Sequence, residues 1–507
     1  MATRQLGRWL RSSSVKIYAE GARMYEIAIA EPDSCEYVKK PNIRRRRRKM
    51  YRRLRYGFVP GVAPLCMDSN DPQVVEWAFR KRVLRKVPDI NMAKLKKFEL
   101  FVRNFLQQRV NRVTIMGFEE WLATTSYNDK RKEELRAANA ELHGGRPDAR
   151  RVRRNKCFVK SECYGSYKAA RMIMSRVDLF KAWSGPIIKS IENEVYKFHY
   201  FVKHMTQDDR KVAVQNLKKI GYRFFITDYT AYEASFKPAI IRACEGQLYR
   251  HCLNYSDDAN FLVDVLAGKN KLTTGIGVTS TVRGRRMSGE MCTSLGNGWT
   301  NLMLFLFFCS ENGLQGDGLF EGDDGIAAVN GQIPSSDYES LGFTIKMEEV
   351  SDPCKASFCG LVFGEDGTVI REPMRFYQKF GWTHSFIHGG DRLMDSLLHA
   401  KSLSALYETP DCPLVSEGAY YCLMKTCYTR PRFVEDGYHK PPPSSFIPTS
   451  PNISFETRIL FEEMYGIGVH EQLYYENQIK MGNFEVLNGL SWHPDILDYA
   501  VRFVVED

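Results

Sequence analysis

The chain has 507 residues, 44% hydrophobic and 26% charged, which suits a globular protein of about three folding units and excludes a collagen-like, disulfide-scaffold or wholly disordered chain. The formal charge of +12 is concentrated at one end: residues 1–60 hold 16 Lys/Arg against 5 Asp/Glu, which leaves the rest near neutral. A basic leader on a near-neutral body points to phosphate or an anionic membrane surface as its partner.

In chain order, the first nineteen residues carry Arg4, Arg8, Arg11 and Lys16 and no acid. Leu6, Trp9, Leu10 and Ile17 fit one face of a helix, which reads as an ordinary amphipathic helix, a membrane-surface helix or an organelle address. The run Arg44, Arg45, Arg46, Arg47, Arg48 and Lys49 continues through Arg52, Arg53 and Arg55, with Tyr51 and Tyr56 interleaved. These are candidate RNA-binding residues; a nuclear-import address and a solvated tail are the alternatives. They set 1–85 apart as a basic N-terminal extension. From about 72 to 142 apolar positions recur at three and four, the helical spacing. A second basic stretch, 146–176, sets ten Lys/Arg against Asp148 and Glu162. The region 220–375 mixes strand-like pieces with helical ones. Helical patterns return after 376, broken by a proline-rich loop at 441–451. Thirteen cysteines are scattered with no CxxC pair, which argues for free thiols in a reducing, cytosolic compartment. The longest apolar run, Leu302 to Cys309, is too short to span a bilayer, so no transmembrane segment is expected and any membrane attachment is peripheral.

Five segments carry candidate chemistry. "GLFEGDDGIAAV" is two apolar strands around an acidic turn; Gly325 suits positive φ there, and the tip presents Asp323 and Asp324. "RFFITDYTAYE" ends an apolar run in Asp228, with Glu233 five residues on. Strand-end carboxylates from separate segments are what two Mg²⁺ or Mn²⁺ ions need, since hard cations take oxygen ligands. Between them, Gly289, Thr293, Asn297 and Asn301 recur at intervals of four after Ser288, a helix face of small and hydrogen-bonding groups suited to sugar hydroxyls. Upstream, Lys160, Lys168, Arg171 and Arg176 can grip a triphosphate. Lys346 in "GFTIKMEE" ends a strand, where a lysine can serve as general acid for a pyrophosphate leaving group or stand as an exposed strand residue.

The ordered set "FVKSE…ARMIMSR", "DYTAYE", "RMSGEMCTSLGN", "EGDD", "GFTIKME" and "SFCGLVF" resembles the RNA-dependent RNA polymerases of positive-strand RNA viruses, and more closely the tombusvirus-like and noda-like replicases. "SYNDKRKEEL" at 126–135 is similar to a template-side segment of tombus-like enzymes, so the resemblance spans 126–363. It implies an α+β right-hand polymerase: an antiparallel palm sheet at 221–375, helical fingers at 86–220 with an insertion near 240–280, and a helical thumb at 376–507. It further implies that Asp228 and Asp323, supported by Asp324, hold Mg²⁺ or Mn²⁺; that Lys160, Arg171 and Arg176 contact the triphosphate; and that Ser288, Thr293 and Asn297 read the ribose 2′-hydroxyl. Where the family usually has a second Asp, Glu233 stands. The implied partners are RNA template, nascent RNA and NTPs, in the host cytoplasm at membrane-associated replication sites; a polymerase-like chain that works only with a membrane-anchoring viral replication protein is a further reading. Two other readings stay open. A reverse transcriptase usually carries Tyr-x-Asp-Asp, and a non-catalytic RNA-binding viral protein explains the arginines but not the carboxylates.

Overall fold

The structure, a computed structural model, describes residues 14–17, 25–28, 34–37, 51–60, 62, 65–66, 72–160, 163–164, 169–275, 277–434, 442–490 and 504–505. The chain is a mixed helix-and-sheet fold with mostly antiparallel pairing, as an α+β class requires. Ser14–Ile17 pairs antiparallel with Tyr25–Ala28, so Ile17, expected on an N-terminal helix, lies in a strand; residues 1–13 of that expected helix lie outside the described residues. β-Branched Val15 and Ile17 behind a run of serines suit an extended chain better than a helix. Arg44–Lys49 and Lys168 lie outside the described residues.

Strand β1 (Ser34–Tyr37) precedes helix α1 (Pro72–Phe79), which runs on into a π-helical turn at Arg80–Leu84. Helix α2 (Met92–Arg109) starts at Asn91, whose side chain accepts the Ala93 and Lys94 amides, and buries Leu95, Phe98, Val102 and Leu106. Strands β2 (Arg154–Val159) and β3 (Met172–Arg176) form an antiparallel pair. Helices α3 (Asp178–Val195) and α4 (Gln207–Lys219) follow; a reciprocal Thr206/Asp209 cap starts the second. Strand β4 (Arg223–Tyr229), helix α5 (Glu245–Cys252) and strands β5 (Lys269–Thr274) and β6 (Val278–Arg283) lead to helix α6 (Thr293–Glu311). Strands β7 (Gly316–Glu321), β8 (Asp324–Val329) and β9 (Ile345–Val350) complete the middle of the chain.

These strands build two sheets. The first has the order β1-β6-β5-β2-β3, so β5 and β6, in and beside the expected 240–280 insertion, join strands from before residue 177. The second, β7-β8-β4-β9, is antiparallel throughout. Its apolar runs are continuous because both faces are covered. Phe225, Tyr229, Ala327 and Val329 belong to a core shared with α2, α3 and α6. The alternate residues Phe224, Ile226, Ile326 and Ala328 pack with Val214 and Leu217 of α4.

The C-terminal part is helical: α7 (Asp391–Glu408), α8 (Val415–Thr426) and α9 (Val469–Lys480) surround Phe376, Tyr377 and Phe380. Residues 51–62 enter this unit. Leu54, Val59 and Val62 are part of its core, Tyr51–Arg53 pairs with Trp382–Thr383, and the Trp382 indole donates to the Val62 carbonyl at 2.9 Å. Arg52 donates to the carbonyls of Ile387 and Gly389 at 3.2 and 2.5 Å. The expected N-terminal extension to residue 85 is therefore corrected: its residues 51–62 are structural members of the C-terminal unit. Among the described residues no helix is long and apolar enough to cross a membrane.

Candidate active site

The acidic hairpin forms as its sequence suggests, but its turn residue is different. Glu321 pairs with Asp324 across a two-residue turn, and Gly322, at φ +66°, supplies the left-handed conformation. Gly325 serves another need: a Cβ there would stand 2.6 Å from the Thr227 hydroxyl oxygen and 2.9 Å from the Phe320 ring. Asn301 of α6 pins the tip. Its amide donates to the carbonyls of Gly322 and Asp323, both at 3.3 Å, while its oxygen accepts from the Tyr229 hydroxyl at 3.0 Å. One side chain thus ties the turn to the residue after Asp228.

Thr227 lies opposite Gly325, which brings Asp228 level with Asp324, and Lys346 faces Asp228 from the other neighbour strand. Strand alternation puts Asp228, Glu321 and Asp324 on one face of the sheet. The Asp324 carboxyl is pushed up to about 6 by desolvation and then by the charges of Asp323, Glu321 and Asp228. Its side chain is exposed and stays partly hydrated, so the repulsion is the part that a bound cation would cancel. Burial raises the Asp323 carboxyl as well, with Glu233 adding to it and Arg171 and Arg82 opposing. The donor chemistry fits a hard divalent cation, although among the described residues no three His, Cys, Asp or Glu side chains converge into a ready ligand set.

Beside the tip lies a cavity of about 460 Å³. Lys160, Arg171, Glu233, Ser288, Gly289, Thr293, Asn297 and Asp323 all line it, drawn from four separate stretches of chain. Several of these polar groups are partly engaged. The Ser288 hydroxyl donates to the Met172 carbonyl at 2.6 Å, and that of Thr293 to the carbonyls of Met287 and Glu290 at 3.0 and 2.9 Å. Helix α6 begins at Thr293, so Gly289 precedes it rather than sharing its face. The sequence reading missed Arg82, Lys181 and Lys203, which line the same cavity. The Arg82 Nε is buried without a partner. Its signal was hidden because a π-helical turn shifts side chains off the helical period.

Two expectations are corrected. Arg176 is fully buried, ion-paired with buried Glu290 and bonded to the Val152 carbonyl and the Asn270 side chain at 2.7 and 2.8 Å. Its guanidinium is committed to the protein and braces the loop at Ser288–Gly289 instead of meeting a triphosphate. Lys346 is exposed and held by Glu348 at 2.7 Å, outside the cavity.

A second cavity, about 660 Å³, is lined by Glu321, Lys203, Arg210 and, from the C-terminal part, Arg371, Arg375 and Lys379. Arg210 meets Glu321 at 2.9 Å. In comparison with known proteins, no family model matches the chain and no curated protein is significantly similar to it.

Proposed function

We propose that the chain is a viral RNA-dependent RNA polymerase with right-hand architecture. The four-stranded sheet is its palm, the five-stranded sheet and the helices around it its fingers, and the C-terminal helices its thumb. The observation that carries this reading is the register that sets Asp228 level with Asp324 and next to the Asp323 turn, beside a cavity lined by cations and by Ser288, Thr293 and Asn297. Lys160, Arg171 and Arg82 offset the charge of the incoming triphosphate. Ser288, Thr293 and Asn297, which line the cavity with Glu233, read the ribose. Asp228, Asp323 and Asp324 would hold Mg²⁺ or Mn²⁺, which when bound supplies activation of the attacking 3′-hydroxyl and charge for the departing pyrophosphate. The growing strand reaches the tip from the second cavity, whose arginines and lysines face its phosphates. The enzyme works in the host cytoplasm on membrane-associated sites, recruited by a membrane-anchoring viral protein.

Full-length protein incubated with a primed RNA template and either NTPs or dNTPs tests the reading. RNA product from NTPs is expected. DNA product from dNTPs alone would make it a reverse transcriptase, and RNA binding with no product from either would make it a non-catalytic RNA-binding protein.

A further inference from the structure

Behind Asn297 lies a charged group that the chemistry above does not use. Arg286 and Glu245 are 1% and 0% exposed and form an ion pair at 2.7 Å. The remaining Glu245 oxygen accepts from the Tyr249 hydroxyl at 2.8 Å, and the guanidinium lies over the Phe236 ring at 4.3 Å. Arg286 then reaches forward: its Nε donates to the Asn297 side-chain oxygen at 2.9 Å. An arginine can only donate, so the atom facing it has to be the amide oxygen, and the amide NH₂ has to point the other way. That NH₂ has no hydrogen-bond partner among the described residues and is not one of the sealed-off buried orphans, while Asn297 itself lines the 460 Å³ cavity. The Tyr232 hydroxyl holds the Asn297 backbone carbonyl at 3.0 Å. Gly296 makes the approach possible, because a Cβ there would overlap both Glu245 and Arg286.

We infer that the buried Arg286–Glu245 pair is a positioning device that fixes the Asn297 amide with its NH₂ toward the cavity, and so makes the site select nucleotides bearing a 2′-hydroxyl. This rests on the polymerase reading for its substrate, but the geometry is independent of catalysis. A donor presented in one orientation rewards an acceptor oxygen on the sugar, and a ligand lacking it leaves that donor unpaired. An amide free to rotate would lose the selection without losing the cavity.

Arg286→Lys keeps the positive charge opposite Glu245 but cannot reach Glu245 and Asn297 through one planar fork. Glu245→Gln is the second variant, which leaves Arg286 present but unanchored. For wild type and both variants, the dissociation constants of ATP and 2′-dATP are measured on the full chain by calorimetry, the incorporation of each is measured as KM and kcat, and the melting temperature is recorded. Wild type should prefer ATP, and a variant that melts cooperatively should lower that preference about tenfold through the ATP KM, with 2′-dATP use unchanged. A folded variant that keeps the wild-type preference overturns the inference, and so does a wild type that binds both nucleotides equally. A wild type that prefers ATP in binding but makes no polymer overturns the polymerase reading and leaves the positioning role standing.

Discussion

Asp324 shows how a single residue reports on the whole site. Its carboxyl is raised to about 6, above its unfolded value near 4. The folded chain therefore binds the extra proton between those values, and the contribution to stability, full below about pH 4, is lost as pH rises through about 6. At pH 7.5 the charge is present and repelled, so a divalent cation should relieve it. We predict that saturating Mg²⁺ raises the melting temperature by about 2 °C at pH 7.5 and much less at pH 5. Asp324→Asn should melt higher than wild type without metal and gain less from it. An equal metal effect at both pH values would mean that Asp324 is not near the cation. Arg176 gives the contrasting case. It was legible as a cation near the site but not as a buried one, because its partner Glu290 is 114 residues away. Arg176→Gln leaves Glu290 buried and unpaired, at a cost of about 3–5 kcal/mol. We expect a fall in melting temperature and soluble yield; a stable variant with only a raised NTP KM would restore the triphosphate role.

At the level of elements, the hairpin and its neighbour strand were readable from sequence, since the apolar runs on either side of Asp-Asp and before Asp228 have strand length. What sequence could not supply was the clamp. Asn301 stood out as the fourth residue of a spaced polar set, yet its role depends on where α6 crosses the sheet. Asn301→Ala would strip two carbonyls and a buried tyrosine hydroxyl of their partner, costing about 1–3 kcal/mol. The expected result is a lower kcat with NTP binding nearly unchanged, because the hairpin tip loses its tether while the cavity walls stay. Equal kcat in the variant, measured by single-turnover incorporation, would show that the turn holds its shape unaided. The Arg82 turn and the N-terminal hairpin at Ser14–Ile17 were misread or missed for a shared reason. Helical periodicity alone carries no information on π-helical turns or on short strands that pair locally.

At the scale of the molecule, charge and packing divide the leader in a way that composition hides. Tyr51 onward is built into the C-terminal core, so a deletion of residues 1–62 would remove core side chains and test folding, not RNA binding. Changing each of Arg44 through Lys49 to Gln instead removes six charges and leaves that packing intact. If these residues contact template phosphates, the slope of log K against log salt should flatten by about 4 units. An unchanged slope would assign RNA contact to the basic stretch at 146–176 and leave the leader as a membrane or organelle address.

Nucleotide addition on RNA, as proposed, depends on the carboxylates at the hairpin tip. The most direct test is incorporation of labelled NTP on a primed RNA template by wild type and Asp323→Asn in Mg²⁺, with RNA affinity measured alongside. The neutral amide cannot take the place of the carboxylate beside developing phosphate charge. Wild type should extend the primer, and Asp323→Asn should fall by about a hundredfold or more with RNA binding unchanged. A variant that keeps more than about a tenth of the wild-type rate would contradict the account.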